Sequence, residues 1–261
     1  MKKIVYYQTF CGIENLKNSG ITHIHVSSIH FGVDNNIKNN IKSKYIHLND
    51  YSPYNKIFDI LWTELEEAYG YNIKIILMVG GAGGAYNAMF NSDADFEQYY
   101  CLLKNLIINK KIISGIDLDV EEPVSLENIK KLIRRINTDF GDDFTISMAP
   151  VQYALETDSP GLGGFVYKDL IESLEGKKIS YLNTQFYDDF SLESYNKIIQ
   201  NGYSANKIIM GMIASEPQTM KNNYQQLKDA YSKYKSDFGG TFLWEYYLDK
   251  NWINNIDKIL G

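Results

Sequence analysis

Almost throughout its length the chain alternates β-type runs with helix-type runs, and this alternation restricts the fold more than any single motif does. Lys3 to Phe10 and Thr22 to Phe31 read as strands, the second rich in β-branched residues. Ile73 to Val79 is a near-continuous apolar run, the mark of a strand buried on both faces. Further strands are predicted at Ile113 to Glu121, Phe144 to Pro150, Ser180 to Tyr187, Lys207 to Ala214 and Thr241 to Tyr247. Helical periodicity marks Lys56 to Tyr69, with Ile57, Ile60, Leu61 and Leu65 on one side. It returns after the cap residue Ser92, through Phe96, Tyr99, Leu102, Leu103 and Leu106. A third helix starts at Ser125 and carries Ile129, Leu132, Ile133 and Ile136 towards Gly141. Tyr167 to Leu174, Leu192 to Ile199, Thr219 to Tyr234 and the last residues complete the set. The polar, Asn-rich stretch from Val33 to Pro53 is the least regular part. Eight strands alternating with helices in 261 residues predict one α/β domain over 1–261. The architecture is a single (β/α)8 barrel, which needs about 250 residues, with no second domain or substantial insertion.

The stretch Ile113-Ser-Gly-Ile-Asp-Leu-Asp-Val-Glu121 then acquires a direction. Read with period two, Ile116, Leu118 and Val120 point one way, and Gly115, Asp117, Asp119 and Glu121 the other. In a barrel the outward face of a strand meets the helices and must be apolar. The acids therefore point inward and climb towards the C-terminal mouth, where barrel active sites lie. Neighbouring carboxylates push one another's pKa upward, and a row holding one protonated and one ionised acid suits proton transfer. Buried so, the acids need hydroxyls or backbone groups to hold them.

Composition removes several alternatives. A net charge of −6 argues against nucleic acid as partner, since phosphates need a basic surface. No run approaches the ~20 apolar residues of a membrane-spanning helix, so no membrane partner is expected. The start MKKIVYYQTF has too few apolar residues before Gln8 for a secretion signal, which predicts a soluble chain, either intracellular or with its leader removed. Cys11 and Cys101 form no framework and match no metal spacing. His23 and His25 make an H-x-H pair of the kind metal-dependent hydrolases use, but only His30 and His47 remain to complete a site, so no metal is expected. Gly80 to Gly84 lacks the spacing of a phosphate cradle, with Tyr86 where a third glycine would fall. No cofactor is called for, and with neither coiled coil nor repeat a monomer is expected.

The segment S-G-I-D-L-D-V-E (114–121) resembles the D-G-x-D-x-D-x-E signature of family-18 glycoside hydrolases, the chitinases and endo-β-N-acetylglucosaminidases. L-M-V-G-G-A-G-G (77–84) is similar to that family's S-x-G-G segment, and S-M-A-P (147–150) to the segment that follows the acidic strand. N-T-Q-F-Y-D (183–188) resembles the Q-x-Y segment and G-G-T-F-L-W-E (239–245) the one ending in Trp. Their order around the acidic strand covers nearly the whole chain. Two acids two residues apart lie about 7 Å apart on one side of a site, so they cannot flank a sugar from opposite faces. The resemblance implies instead that the substrate's 2-acetamido oxygen attacks its own anomeric carbon. It makes Glu121 the acid/base, Asp119 the acceptor of the acetamido N–H, Asp117 a partner sharing a proton with Asp119, and Tyr187 a donor to the acetamido oxygen. Trp244 would floor the sugar site, with Gln185, Met148, Tyr6 and Gly81 as further contacts.

The chain departs from the pattern twice. Ser114 stands where the signature has Asp, and Met78 where S-x-G-G has Ser. Both positions help hold the lower Asp in the family, so the expected weak point is the support of Asp117. Trp244 and Met148 also read as ordinary core residues. The implied partner is an N-acetylglucosamine-containing polysaccharide or glycan, with chitin as the leading substrate. N-glycan cores are the alternative, and so is a non-catalytic lectin on the same barrel. With one helix filling 215–240 and no added module, an open, endo-acting cleft is predicted.

Overall fold

The computed structural model describes residues 1–36 and 41–261. Among the described residues nine strands form one sheet: β1 (Lys2–Tyr7), β2 (His23–Asn36), β3 (Ile41–Leu48), β4 (Lys74–Gly80), β5 (Ile113–Asp119), β6 (Thr145–Met148), β7 (Tyr181–Gln185), β8 (Ile208–Ile213) and β9 (Gly240–Trp244). The described helices are α1 (Asp59–Gly70), α2 (Tyr86–Met89), α3 (Asp93–Asn109), α4 (Leu126–Phe140), α5 (Gln152–Thr157), α6 (Tyr167–Ile171), α7 (Leu192–Gln200), α8 (Pro217–Tyr234) and α9 (Trp252–Leu260). β1 pairs in parallel with both β2 and β9, which closes the ring β1-β2-β4-β5-β6-β7-β8-β9. The fold is a single (β/α)8 barrel without a large insertion, as the alternation predicts.

The ninth strand corrects one expectation. Val33 to Pro53 is not the irregular stretch its composition implied, although 37–40 lie outside the described residues. β2 runs on past the barrel rim and β3 folds back antiparallel on it, with Phe31 opposite Ile46 and Ile29 opposite Leu48. Those four residues are buried. The polar residues between them occupy the other face, so alternation was present but diluted by Asn and Lys.

Helix α1 carries a second correction. Its buried side is Leu61, Trp62, Leu65 and Ala68, while Ile57 and Ile60, placed on the core side by the sequence, are 57% and 74% exposed. Trp62 decides the rotation, since its ring is buried and its indole N–H donates to Pro53 O at 2.9 Å. Helices α3, α4, α7 and α8 lie where their patterns place them, whereas α6 stops at Ile171, short of the expected Leu174, and the short α2 and α5 were not foreseen. Ser92, Ser125 and Ser191 accept from the backbone N–H of Asp95, Asn128 and Ser194 at the starts of α3, α4 and α7. Ile129, Leu132, Ile133 and Ile136 of α4 are all buried.

Two apolar layers result. Ile116, Leu118 and Val120 join the large core between strands and helices. A smaller inner cluster of Ile4, Tyr6, Met78, Tyr181, Ile209 and Phe242 fills the barrel, with Tyr187 and Trp244 packed on top of it. The barrel is thus a plugged floor on which the mouth residues stand.

Candidate active site

β5 ends at Asp119, two residues earlier than the sequence suggested, so Glu121 stands on the loop at the mouth. Asp117 and Asp119 remain on the inner face, both buried, and Glu121 is half-buried above them. Around Asp119 and Glu121 a cavity of about 300 Å³ opens, lined also by Tyr187, Trp244, Gln185, Gly81, His30 and Met78. The structure therefore brings together Glu121, Asp119, Tyr187, Trp244, Gln185 and Gly81 of the expected set.

Three of the expected residues sit elsewhere. Met148 lies with Ile146 in the core between barrel and helices, because Ser147 takes the inward position of β6. It is not a wall of the cavity. Tyr6 is buried below the cavity, its ring 5.3 Å from that of Trp244. Its hydroxyl donates to Asp117 Oδ2 at 2.7 Å, so it supports the acid row instead of lining the cavity. Asp117 itself is one layer below the cavity.

The expected weakness beneath Asp117 is corrected as well. Its Oδ1 accepts from Ser147 Oγ at 2.6 Å and Asn183 Nδ2 at 3.1 Å. Its Oδ2 accepts from Tyr6, with His25 Nδ1 at 3.3 Å. Three hydrogen-bond donors and the nearby imidazole nitrogen surround the carboxylate and occupy most of its lone-pair capacity. Burial alone would raise this carboxyl, but His25, Ser147 and Tyr6 overcome it and hold Asp117 below the ordinary value. With its oxygens so occupied, Asp117 makes no hydrogen bond to Asp119 in this structure and acts on it by charge through space. Asp119 is driven well above its ordinary value by burial and by the neighbouring Glu121 and Asp117 charges. Glu121 is raised by burial, against the amide of Gln185, which pulls it down. The row is graded: a lowered carboxyl at the bottom, with raised ones in the middle and at the top.

Sequence reasoning overlooked Ser147, Asn183 and His25 as parts of this site, although strand phase places all three inward. It also overlooked the residues that hold the mouth. Glu122 accepts from the backbone N–H of Ala85 and Tyr86, anchoring the glycine-rich turn after β4 to the end of β5. Gly80, at φ +97°, would place a Cβ 2.2 Å from Asp119 O, so only glycine fits there. Gly81 N donates to the same oxygen at 2.9 Å. Glu245 accepts from Gln8 and Thr9 N–H, each at 2.9 Å, and ties the loop after β1 to the end of β9. Tyr187 is half-buried beside Asp119 and Glu121, and desolvation with those charges pushes its phenol well up, so it remains a proton donor. Among the described residues its hydroxyl has no protein partner.

No family model matches the chain, and no curated protein matches it. Solved structures do. A fungal endo-β-N-acetylglucosaminidase from glycosyl hydrolase family 18 is 32% identical, with 100% of this chain and 98% of that one aligned at a TM-score of 0.85. This chain belongs to glycoside hydrolase family 18. A chitinase, ChiC, from Aspergillus fumigatus is 29% identical over 100% of this chain and 99% of its own, with a TM-score of 0.84. A family-18 chitinase from Pseudoalteromonas aurantia, at 21% identity, 100% coverage of both chains and a TM-score of 0.75, shares the fold. The family resemblance read from the acidic strand and its companion segments is borne out.

Proposed function

We propose that this family-18 chain is a retaining endo-hydrolase of β-1,4-linked N-acetylglucosamine chains, acting with help from the substrate's own 2-acetamido group. The observation that carries this reading is the one-sided acid row. Asp119 and Glu121 are the carboxylates lining the cavity among the described residues, and both come from the end of β5 and the loop that leaves it. A nucleophile on the opposite face of the sugar must then come from the substrate.

Glu121, raised and half-buried, protonates the glycosidic oxygen and later takes the proton of the incoming water. Asp119 accepts the acetamido N–H and faces the oxazolinium cation as it forms. Asp117 acts on Asp119 by its charge. Tyr187 donates to the acetamido oxygen and holds it against the anomeric carbon. Trp244 floors the sugar, while Gln185 and Gly81 limit the cavity beside Asp119, with Gln185 Nε2 3.3 Å from Asp119 Oδ1. The connection between β8 and β9 holds only α8 and a short 3-10 turn at Lys235–Asp237, which supports an open cleft and attack within a chain.

Hydrolysis of a chitooligosaccharide by wild type and Glu121→Gln tests the reading. Turnover with retained anomeric configuration, and a fall in kcat of about 10²–10⁴-fold in the variant, are expected. Equal turnover by both proteins sinks the assignment of the acid. Release of an N-glycan from a glycoprotein, without chitooligosaccharide cleavage, would favour the alternative that the 32%-identical fungal relative suggests. Binding of either substrate without cleavage would make the protein a lectin.

A further inference from the structure

Met78 leaves a gap in the support of the acid row, and the structure fills it from the next strand. Met78 is in register with Asp117 on β4, the position where the family's S-x-G-G segment carries a hydroxyl. Its thioether offers Asp117 no donor and instead accepts from Ser28 Oγ at 3.7 Å. One strand further round the barrel, His25 of β2 reaches Asp117 Oδ2 with Nδ1 at 3.3 Å. Its Nε2 lies 3.2 Å from Tyr181 OH on β7, so the ring spans the barrel interior between two fixed partners. Both His25 and Asp117 are fully buried. A polar contact held this far from water is stronger than the same contact at the surface. His23, its H-x-H companion, is engaged differently, with Nδ1 2.7 Å from Thr22 Oγ1. His25 alone therefore serves the acid row, and the two histidines do not form one centre.

We infer that His25 is a positioning residue for the proposed reaction: it fixes the orientation of the Asp117 carboxyl at the foot of the row, in place of the hydroxyl that Met78 displaces. The inference rests on the functional reading above for its effect on catalysis, but not for its effect on Asp117. The groups facing His25 are Asp117 on β5, Tyr181 and Asn183 on β7 and Tyr6 on β1, whose ring centroid is 4.9 Å away. His23 lies 6.4 Å below it on the same strand, with Lys2 and Lys74 further towards the bottom rim and Asp119 above Asp117. Asp117 is the carboxylate in contact with it. A change at His25 is therefore felt first at Asp117, and through it by Asp119 and Glu121.

His25→Gln keeps a side-chain donor of similar reach and removes the imidazole. His25→Leu removes both and serves as the packing control. The direct readout is the carboxyl carbon resonance of Asp117, assigned by its loss in Asp117→Asn and followed with pH. In His25→Gln this carboxyl is expected to protonate at a higher pH than in wild type, with the melting temperature at neutral pH nearly unchanged. The acid limb of kcat on a chitooligosaccharide moves up in the same direction, kcat falls at least about tenfold on that limb, and KM stays within about twofold. An unchanged Asp117 titration in His25→Gln overturns the inference, whatever happens to activity. So does a uniform loss of kcat with no movement of the pH profile. If the Asp117 resonance moves while wild type cleaves neither chitooligosaccharide nor N-glycan, the functional reading falls and the role of His25 towards Asp117 stands.

Discussion

Asp119 is the residue that this fold tolerates at a cost. Its carboxyl is buried between two other acids, and this burial and repulsion, which suit the proposed reaction, make its ionised form unfavourable in the folded chain. Its pKa is raised on folding, so it destabilises the folded state progressively as pH rises from the ordinary carboxylate range towards its folded value. Below the ordinary range it is protonated in both states and costs nothing extra. Asp117 has the opposite sign: its lowered carboxyl stabilises the fold at neutral pH, and that stability is lost as pH falls through its folded value. Asp119→Asn, a neutral residue of the same shape, is therefore expected to raise the melting temperature at neutral and mildly alkaline pH while abolishing most activity. For a chain of this size each kcal/mol gained corresponds to about 2–4 °C. The gain should shrink as pH is lowered, and thermal melts at several pH values measure it. A variant less stable than wild type across that range would mean that Asp119 is a structural residue.

At the scale of elements, the site depends on how the turn after β4 is fastened to the end of β5. Glu122 receives two backbone N–H groups at the start of α2. Gly80 and Gly81 bring the turn within contact of the Asp119 backbone. Glu122→Ala leaves both N–H groups without their acceptor, at an expected stability loss of about 1–3 kcal/mol. The turn also forms a wall of the cavity, so KM should rise, while the pH profile set by the acid row stays where it is. Equilibrium unfolding and steady-state kinetics check both effects, and an unchanged KM would show that the turn holds without Glu122. This fastening was not legible in the sequence, because the acceptor and its donors are 36 and 37 residues apart. What the sequence did reveal is local periodicity. The inward phase of Asp117 and Asp119, the buried face of α4 and the order of the eight barrel strands all follow from it. Periodicity failed where one large side chain set the rotation, as Trp62 does in α1. It also failed where a motif was matched without checking phase, as with Met148, whose neighbour Ser147 takes the inward position.

The whole barrel separates stability from chemistry along its axis. The cavity and its acids occupy the C-terminal ends of the strands, while the closure of the ring is fastened near the N-terminal ends. There Lys3 of β1 pairs with Asp257 of α9 at 2.6 Å, across a sequence separation of 254 residues. Asp257 Oδ2 also lies 3.4 Å from the Gly20 N–H ahead of β2. One carboxylate thus links the first strand, the approach to the second and the last helix. The two partners are not equivalent: the Lys3 side chain is 8% exposed and that of Asp257 is 34% exposed. Removing the acid strands a nearly buried ammonium, whereas removing the lysine leaves a carboxylate that water can still reach. Asp257→Asn is therefore expected to cost about 2–4 kcal/mol, towards the range for breaking a buried pair. Lys3→Met, which keeps the apolar stem, should cost no more than about 1 kcal/mol. Both variants should retain wild-type kcat at temperatures well below their melting points, because neither touches the mouth of the barrel. Urea unfolding compares the two costs. An equal loss in both variants would show that the pair is held by solvent-exposed attraction alone, and that the ring is closed by its backbone ladder between β1 and β9.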